Sequence, residues 1–149
     1  MPETPYPLPP ALEPDLEHVR RYWAGLSRGG AEMPFWDDLK LADLADGGAS
    51  AMLIDAFQNP RRFRMGFLGR VPTERYGASI AGKFFDEIGL RHPLDQLDRQ
   101  CATTLDRRVP TYFRYRPEDD SKAAAYARII LPMWGNGHIE MLLGAIAAI

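Results

Sequence analysis

The chain has a single cysteine, no long apolar run and little excess charge of either sign. Its 149 residues are enough for one domain that folds without disulfides or metals. Cys101 has no partner in the chain, which excludes an intramolecular disulfide and favours a reducing compartment. A net charge of −2 offers no overall basic field to nucleic acid or anionic lipid. No apolar run approaches the roughly 20 residues that a membrane span needs.

The N-terminus also lacks the layout of a signal peptide, because acidic and proline residues occupy the place of its apolar core. These absences together predict a cytoplasmic protein. Residues 1–14 hold six of the 13 prolines, and proline fixes φ and donates no backbone hydrogen bond. We therefore expect a flexible, extended leader over 1–14 and a single domain over 15–149.

Metal and phosphate signatures are missing as well. His18, His92 and His138 are scattered without His-x-x-x-His spacing, which argues against a zinc site. Neither GxGxxG nor Gly-Lys-Ser/Thr occurs. The many arginines are matched by acidic residues, so we interpret them as a solvated, partly paired face, with nucleotide or acidic-partner binding as the alternative. These arginines are Arg61, Arg62, Arg64, Arg107, Arg108, Arg114, Arg116 and Arg128.

What the sequence does have is a succession of extended segments in its last third. Residues 109–116 are rich in β-formers, and 123–133 are apolar apart from Arg128. A turn over 134–137 then leads into 138–149. Asn-Gly between alternating apolar residues is a strong hairpin signal, because both turn residues accept positive φ. The pattern predicts three C-terminal strands.

A first helix is predicted from Pro14 and Asp15, ending at Gly29-Gly30. Intervals of four, three, four and three separate the residues of one apolar stripe: Leu12, Leu16, Val19, Trp23 and Leu26. This helix could pack on its own domain. It could equally form a homodimer seam through Leu16, Val19, Trp23 and Leu26, because the spacing also fits two heptads, although two heptads are too few for a stand-alone coiled coil.

The middle of the chain alternates short helices and strands. We predict helices over 37–46, 72–76 and 93–107, a short turn around Phe84 and Phe85, and strands over 51–57 and 62–68. The two early and three late strands can form one five-stranded antiparallel sheet. The short helices would cover one face and the first helix the other, which is an α+β fold.

Several segments in this order resemble the PAS domains, and in particular short, stand-alone bacterial ones. They are Leu68-Gly69, the stretch 76–84 with its Tyr-Gly step and later Gly-Lys-Phe, Tyr22-Trp23 with Met33-Pro34, and the strand 126–132. The resemblance spans roughly residues 15 to 147. Arg70 departs from the pattern, in which a small polar residue follows the glycine.

The resemblance implies a non-enzymatic sensory or interaction module. PAS domains hold a ligand between the sheet and the short helices, and they transmit signals through the outer sheet face and flanking helices. Because we recognise no effector segment in the sequence, we expect its output to act by binding a protein partner. Candidate ligand contacts, which could equally be core residues, are Phe67, Tyr76, Phe84, Cys101 and Tyr112.

The resemblance leaves the cofactor unknown. A haem would need an axial ligand such as His92, which precedes a proline in a polar stretch and suits a surface or capping role better. Cys101 lies outside any Asn-Cys-Arg-like flavin motif and is most simply a core residue.

Asp55 is unusual because it lies inside an apolar strand; it could sit at a pocket mouth, pair with Arg64 or face water. It also motivates an alternative, a small-ligand binder or an enzyme with the ketosteroid-isomerase-like cone fold, the enzyme having Asp55 as base, Tyr112 as oxyanion donor and Glu140 as a possible second acid. The helix breakers over 70–93 favour the PAS interpretation.

Overall fold

The described residues form one antiparallel sheet of five strands. The computed structural model describes residues 6–29, 31–117 and 125–149. The sheet has the order β2-β1-β5-β4-β3, so the two early strands share it with the three late ones and the predicted α+β, PAS-like fold class is confirmed. The strands are β1 (Ala51–Phe57), β2 (Arg62–Leu68), β3 (Thr111–Tyr115), β4 (Tyr126–Gly135) and β5 (His138–Ala148).

The hairpin between β4 and β5 is tighter than the sequence suggested. Trp134 and Gly135 still pair with Ile139 and His138, so the turn is reduced to residues 136 and 137. Asn136 and Gly137 have φ of 48° and 83°, the left-handed conformation that a two-residue type I′ turn requires and that these residue types accept.

Three α-helices accompany the sheet in the described residues: α1 (Pro14–Leu26), α2 (Arg70–Tyr76) and α3 (Leu97–Arg107). Gly77 ends α2 with φ 89°, the predicted stop. The last helix begins at Leu97 rather than at 93, because Leu94 N–H closes a turn onto the Arg91 carbonyl and Gln96 takes a left-handed conformation. No helix within the described ranges combines the length and apolarity needed to cross a bilayer.

The helix predicted over 37–46 is wrong. Two short 3₁₀ turns, Trp36–Asp38 and Leu41–Asp43, occupy this segment. Leu39 and Lys40 between them are extended. The Lys40 N–H donates to the hydroxyl of Tyr22 on α1 at 3.0 Å, so a contact with α1 replaces a helical hydrogen bond.

The two faces of the sheet are covered by different helices. Residues directly opposite each other on antiparallel strands share a face, so the pairings assign each side chain. The inner face includes Met52, opposite Gly144, and lies under α3. The outer face includes Ala51, opposite Ala145, and α1 lies on it, in contact with β4 and β5. The predicted covering of the second face by the first helix is therefore correct.

Both edges of the sheet carry additional backbone contacts. At the β3 edge, the Tyr112 N–H donates to the Tyr6 carbonyl at 3.0 Å, so the proline-rich leader lies against the sheet at this residue. At the β2 edge, Met65 donates its N–H to the Lys83 carbonyl at 2.8 Å and accepts from the Gly82 N–H at 2.6 Å. The chain thus uses its own irregular segments to satisfy backbone groups at the sheet edges.

Candidate functional site

Side chains fill the space between the sheet and the short helices, where the resemblance placed a ligand. Met52, Met65, Leu94, Leu97 and Cys101 are each 0% exposed. Burial raises the pKa of the Cys101 thiol, which keeps it protonated as a small core residue. The inner face is a packed core.

The five candidate ligand contacts are divided between the two faces. Cys101 belongs to the inner core, and Tyr76 is buried with its hydroxyl donating to the Gly89 carbonyl at 2.8 Å. Phe67, opposite Leu53, and Tyr112, opposite Ile129, lie on the outer face. Phe84 packs against Phe57 at 5.5 Å and under the Arg62 guanidinium at 3.7 Å, also outside the inner core. The five residues therefore do not line one pocket in this structure, and their role as ligand contacts stays a prediction.

A bulge explains the placement of Phe67. Simple alternation puts Phe63, Met65 and Phe67 on one face. The register instead shifts between Leu53 and Ile54, so that Gly66 is left unpaired and Leu68 follows Met65 inward. Phe67 turns to the outer face. A glycine inside a strand is the one sequence signal that could have indicated this.

Arg128 on β4 is fully buried, which corrects its assignment to a solvated face. Its Nε donates to Gln100 Oε1 at 2.7 Å, Nη1 to the Pro93 carbonyl at 3.1 Å and Nη2 to the Asp95 carbonyl at 2.7 Å. The Phe113 ring lies 4.8 Å from the guanidinium carbon. Burial lowers the pKa of Arg128. The side chain ties the turn before α3 to the sheet, a role that no local pattern revealed.

Aromatic residues next to Arg128 hold the same turn. The Tyr126 hydroxyl donates to Asp95 Oδ2 at 2.7 Å. The His92 ring packs edge-on against Tyr126 and Tyr115, with centroids 5.2 and 5.9 Å away. His92 is thus half-buried among aromatic rings, whereas the sequence favoured a surface or capping role.

The geometry of the enzyme alternative is not present. Asp55 lies on the outer face and pairs with Arg64 at 3.0 Å, one of the three environments considered for it. Asp55 is on β1 and Tyr112 is on β3. Strands β5 and β4 lie between β1 and β3, which are therefore about 14 Å apart. Glu140 lies by the β4–β5 turn, 3.4 Å from Asn136. The proposed base and oxyanion donor do not meet.

The apolar stripe of α1 is used by the chain itself. Leu16 is 0% and Trp23 7% exposed, and the Trp23 Nε1–H donates to the Pro132 carbonyl at 2.8 Å. Val19 and Leu26 are partly buried. Packing on its own domain is thus the observed role of the stripe. A dimer seam through these four residues would require α1 to leave the sheet.

A cleft of about 520 Å³ lies beneath α1, between this helix, residues 44–50 and the outer sheet face. We call it the α1 cleft. Its apolar wall is formed by Leu16, Val19, Leu44, Ala51 and Ala145, and its lining also includes Asp15, His18, Asp46, Ser50 and Ile146. None of the five predicted ligand contacts lines it. The volume is within the range of small-molecule sites, roughly 300–1,000 Å³. Ala51 at the start of β1 and Ala145 in β5 face the helix, and their small side chains leave this space.

The polar groups of the α1 cleft differ in their contacts and exposure. Asp46 accepts backbone hydrogen bonds from Gly48 at 2.9 Å and Ser50 at 3.0 Å. Burial alone would raise the pKa of Asp46, but these bonds prevail and lower it, so Asp46 is a charged group that fixes the loop. His18 is exposed on α1 and stands at the rim.

A polar clamp fixes the start of α1. The Tyr112 hydroxyl lies 2.7 and 2.8 Å from the two carboxylate oxygens of Glu13, the residue before the helix. Burial and the Glu13 carboxylate raise the pKa of Tyr112 to about 12. The clamp joins the beginning of α1 to the β3 edge of the sheet.

This clamp predicts a pH dependence. Unfolded tyrosine loses its proton near pH 10 and folded Tyr112 near 12, so the stabilisation is complete below pH 10 and is lost as pH rises towards 12. We expect Tyr112→Phe to cost about 1 kcal/mol at pH 8 but to lose less stability than wild type between pH 9 and about 11. Urea unfolding followed by circular dichroism measures both. Glu13→Gln should also weaken the decline; identical declines in all three proteins would refute the clamp.

Comparison with known proteins finds little sequence similarity. No family model matches the chain, and no curated protein does. Among solved structures, a sensory box sensor histidine kinase from Vibrio cholerae is similar, with 16% sequence identity, 73% of this chain and 88% of that chain covered, and a TM-score of 0.49. At this level of similarity, nothing about ligand or activity is carried over.

Proposed function

We propose that this PAS-like domain is a sensory or regulatory module whose input is a small, mainly apolar molecule bound in the α1 cleft. The observation that carries the proposal is the cleft itself, which combines apolar walls with a few polar groups at its rim. The packed inner core makes the usual PAS location a poorer candidate. The module would act without chemistry of its own and pass its signal to a protein partner.

The position of the cleft suggests how occupancy would be transmitted. Glu13 and Trp23 tie the two halves of α1 to the sheet through Tyr112 and Pro132. The cleft residues Leu16 and Val19 lie between these two ties. A ligand touching both helix and sheet would favour the conformations of α1 that accommodate it, and a partner that reads α1 would respond to this shift.

The proposal is tested with the fluorescent apolar probe N-phenyl-1-naphthylamine. Ala45 is exposed and lines the α1 cleft, so Ala45→Phe should obstruct the cleft and weaken probe binding about tenfold or more. Ala42 is equally exposed in the preceding 3₁₀ turn and is not a lining residue, so Ala42→Phe should change binding by less than about twofold.

Equal binding by both variants, or none by wild type, would count against the cleft. Native mass spectrometry of the protein purified from its own host, compared with the denatured protein, would then identify a co-purifying ligand. A ligand retained by wild type and by Ala42→Phe but lost from Ala45→Phe would support the α1 cleft directly.

A further inference from the structure

At the opposite end of the sheet from the α1 cleft, three adjoining clefts form a groove. Their volumes are about 300, 200 and 650 Å³. The first two share Arg61, and the second and third share Arg108. We define the end groove as the surface lined by Pro60, Arg61, Arg107, Arg108, Pro110 and Trp134. It crosses the β1–β2 turn, the end of α3 and the last residues of β4.

The end groove is locally cationic in a chain of net charge −2. Arg61, Arg107 and Arg108 line it, and Glu32 is the one carboxylate among the lining residues of the three clefts. Guanidinium groups present paired donors that match carboxylates in geometry. A cationic groove on a weakly acidic protein is complementary to an acidic partner.

The ion pairs already present in the groove are exposed and exchangeable. Arg61 meets Asp106 at 2.7 Å, with the two side chains 46% and 60% exposed. Arg108 approaches Glu32 only at 3.8 Å, with 51% and 75% exposure. Exposed pairs of this kind contribute about 0–1 kcal/mol each. A carboxylate from a partner could therefore replace either acid at little cost.

Exposed apolar side chains surround the same groove. The Arg108 guanidinium lies 4.9 Å from the Trp134 ring centre. Phe35, which bridges to Trp134, is 48% exposed, Trp36 41% and Val109 44%. Aromatic residues combined with arginine are typical of the energetically dominant part of protein interfaces. Their concentration at one end of the molecule indicates a binding surface.

We propose that the end groove binds an acidic segment of a partner protein. Carboxylates of this segment pair with Arg61, Arg107 and Arg108, and an aromatic or aliphatic side chain packs against Trp134 and Val109. The groove is separate from the α1 cleft, so this inference goes beyond the proposed ligand site and does not depend on it. Nucleic acid is disfavoured because a chain of net charge −2 offers no overall basic field to a phosphate backbone.

Fluorescence anisotropy with a fluorescein-labelled peptide, Glu-Glu-Leu-Glu-Phe-Glu, tests the proposal on the full chain. We expect saturable binding that weakens as salt is added. Binding should be about tenfold weaker or more when lysine replaces each glutamate or when serine replaces the leucine and phenylalanine. Equal binding of the acidic and basic peptides, or tighter binding of a labelled oligothymidylate, would overturn the proposal.

Matched charge reversals test whether the peptide binds in the end groove. The double variant Arg61→Glu and Arg107→Glu should lose about tenfold or more in affinity. Arg21→Glu with Arg70→Glu makes the same net-charge change on α1 and α2 at positions 77% and 68% exposed, and affinity should stay within about twofold of wild type. An equal loss in both would overturn the proposal, because binding would then follow net charge alone.

Circular dichroism confirms that each double variant is folded before it is compared. Ala45→Phe, which obstructs the α1 cleft, should bind the peptide as wild type does. Failure of the ligand site and failure of the groove are therefore distinguishable in the same set of proteins.

Discussion

Replacing Trp23 with glutamate is expected to unfold the domain rather than to separate a dimer into folded monomers. The Trp23 side chain is 7% exposed and donates its Nε1–H to the Pro132 carbonyl at 2.8 Å. Truncating a buried tryptophan typically costs 3–5 kcal/mol. Here a carboxylate would also be placed against the apolar outer face, and the carbonyl would lose its donor. This loss is comparable with the 5–15 kcal/mol of stability typical of a domain.

Urea unfolding and light scattering separate the two outcomes. Ala24→Glu introduces the same charge at the next, exposed position of α1 and should leave the unfolding midpoint nearly unchanged. We expect Trp23→Glu to be largely unfolded without denaturant. A well-folded Trp23→Glu protein with half the wild-type mass would show that the tryptophan belongs to an interface between two chains.

The second large effect is expected at Arg128. Burial of the Arg128 charge costs desolvation free energy, which also lowers the pKa of this guanidinium. Arg128→Met removes the charge and with it this cost. The substitution also leaves the Pro93 and Asp95 carbonyls and the Gln100 amide oxygen without their donors. Each unpaired buried acceptor costs about 1–3 kcal/mol. The cost of the lost hydrogen bonds exceeds the gain from removing the buried charge, and we expect the free energy of unfolding to fall by about 2–4 kcal/mol.

Two further variants show whether the hydrogen-bond network is responsible. Arg128→Lys keeps the charge but not the planar set of donors, so its stability should fall between wild type and Arg128→Met. Gln100→Leu should lose less stability in the Arg128→Met background than in wild type, because the shared bond is already absent and only the bonds from Gln100 Nε2 to Thr111 and to the backbone carbonyl of residue 128 remain. Equal stability of wild type and Arg128→Met in urea would refute the stabilising role of the network.

Local patterns predicted the regular strands well. β1 and β2 have the predicted bounds, Ala51–Phe57 and Arg62–Leu68, because apolar alternation and a Pro-containing turn specify them locally. The Asn-Gly hairpin was equally clear. The structure of segment 37–46 was not predicted correctly, because a contact with Tyr22 on α1 overrides its amphipathic pattern. Propensity is a weak guide wherever a distant residue competes for the backbone.

The candidate sites depend on contacts that no short window of sequence contains. A bulge at Gly66 turns Phe67 outward and removes it from the predicted pocket. Arg128 is buried because α3 lies over its strand, which the apolar sequence around it could not indicate. The α1 cleft brings together residues from α1, 44–50 and two strands. Fold class could be inferred from order and period, whereas these sites required packing.

The leader at the β3 edge and the 82–83 segment at the β2 edge restrict how other chains can associate with the sheet. An incoming peptide that tried to extend the ladder at Tyr112 or Met65 would first have to displace the chain's own carbonyls. Strand-to-strand polymerisation is hindered for the same reason. At these two positions a partner would therefore be recognised through its side chains rather than by adding a sixth strand.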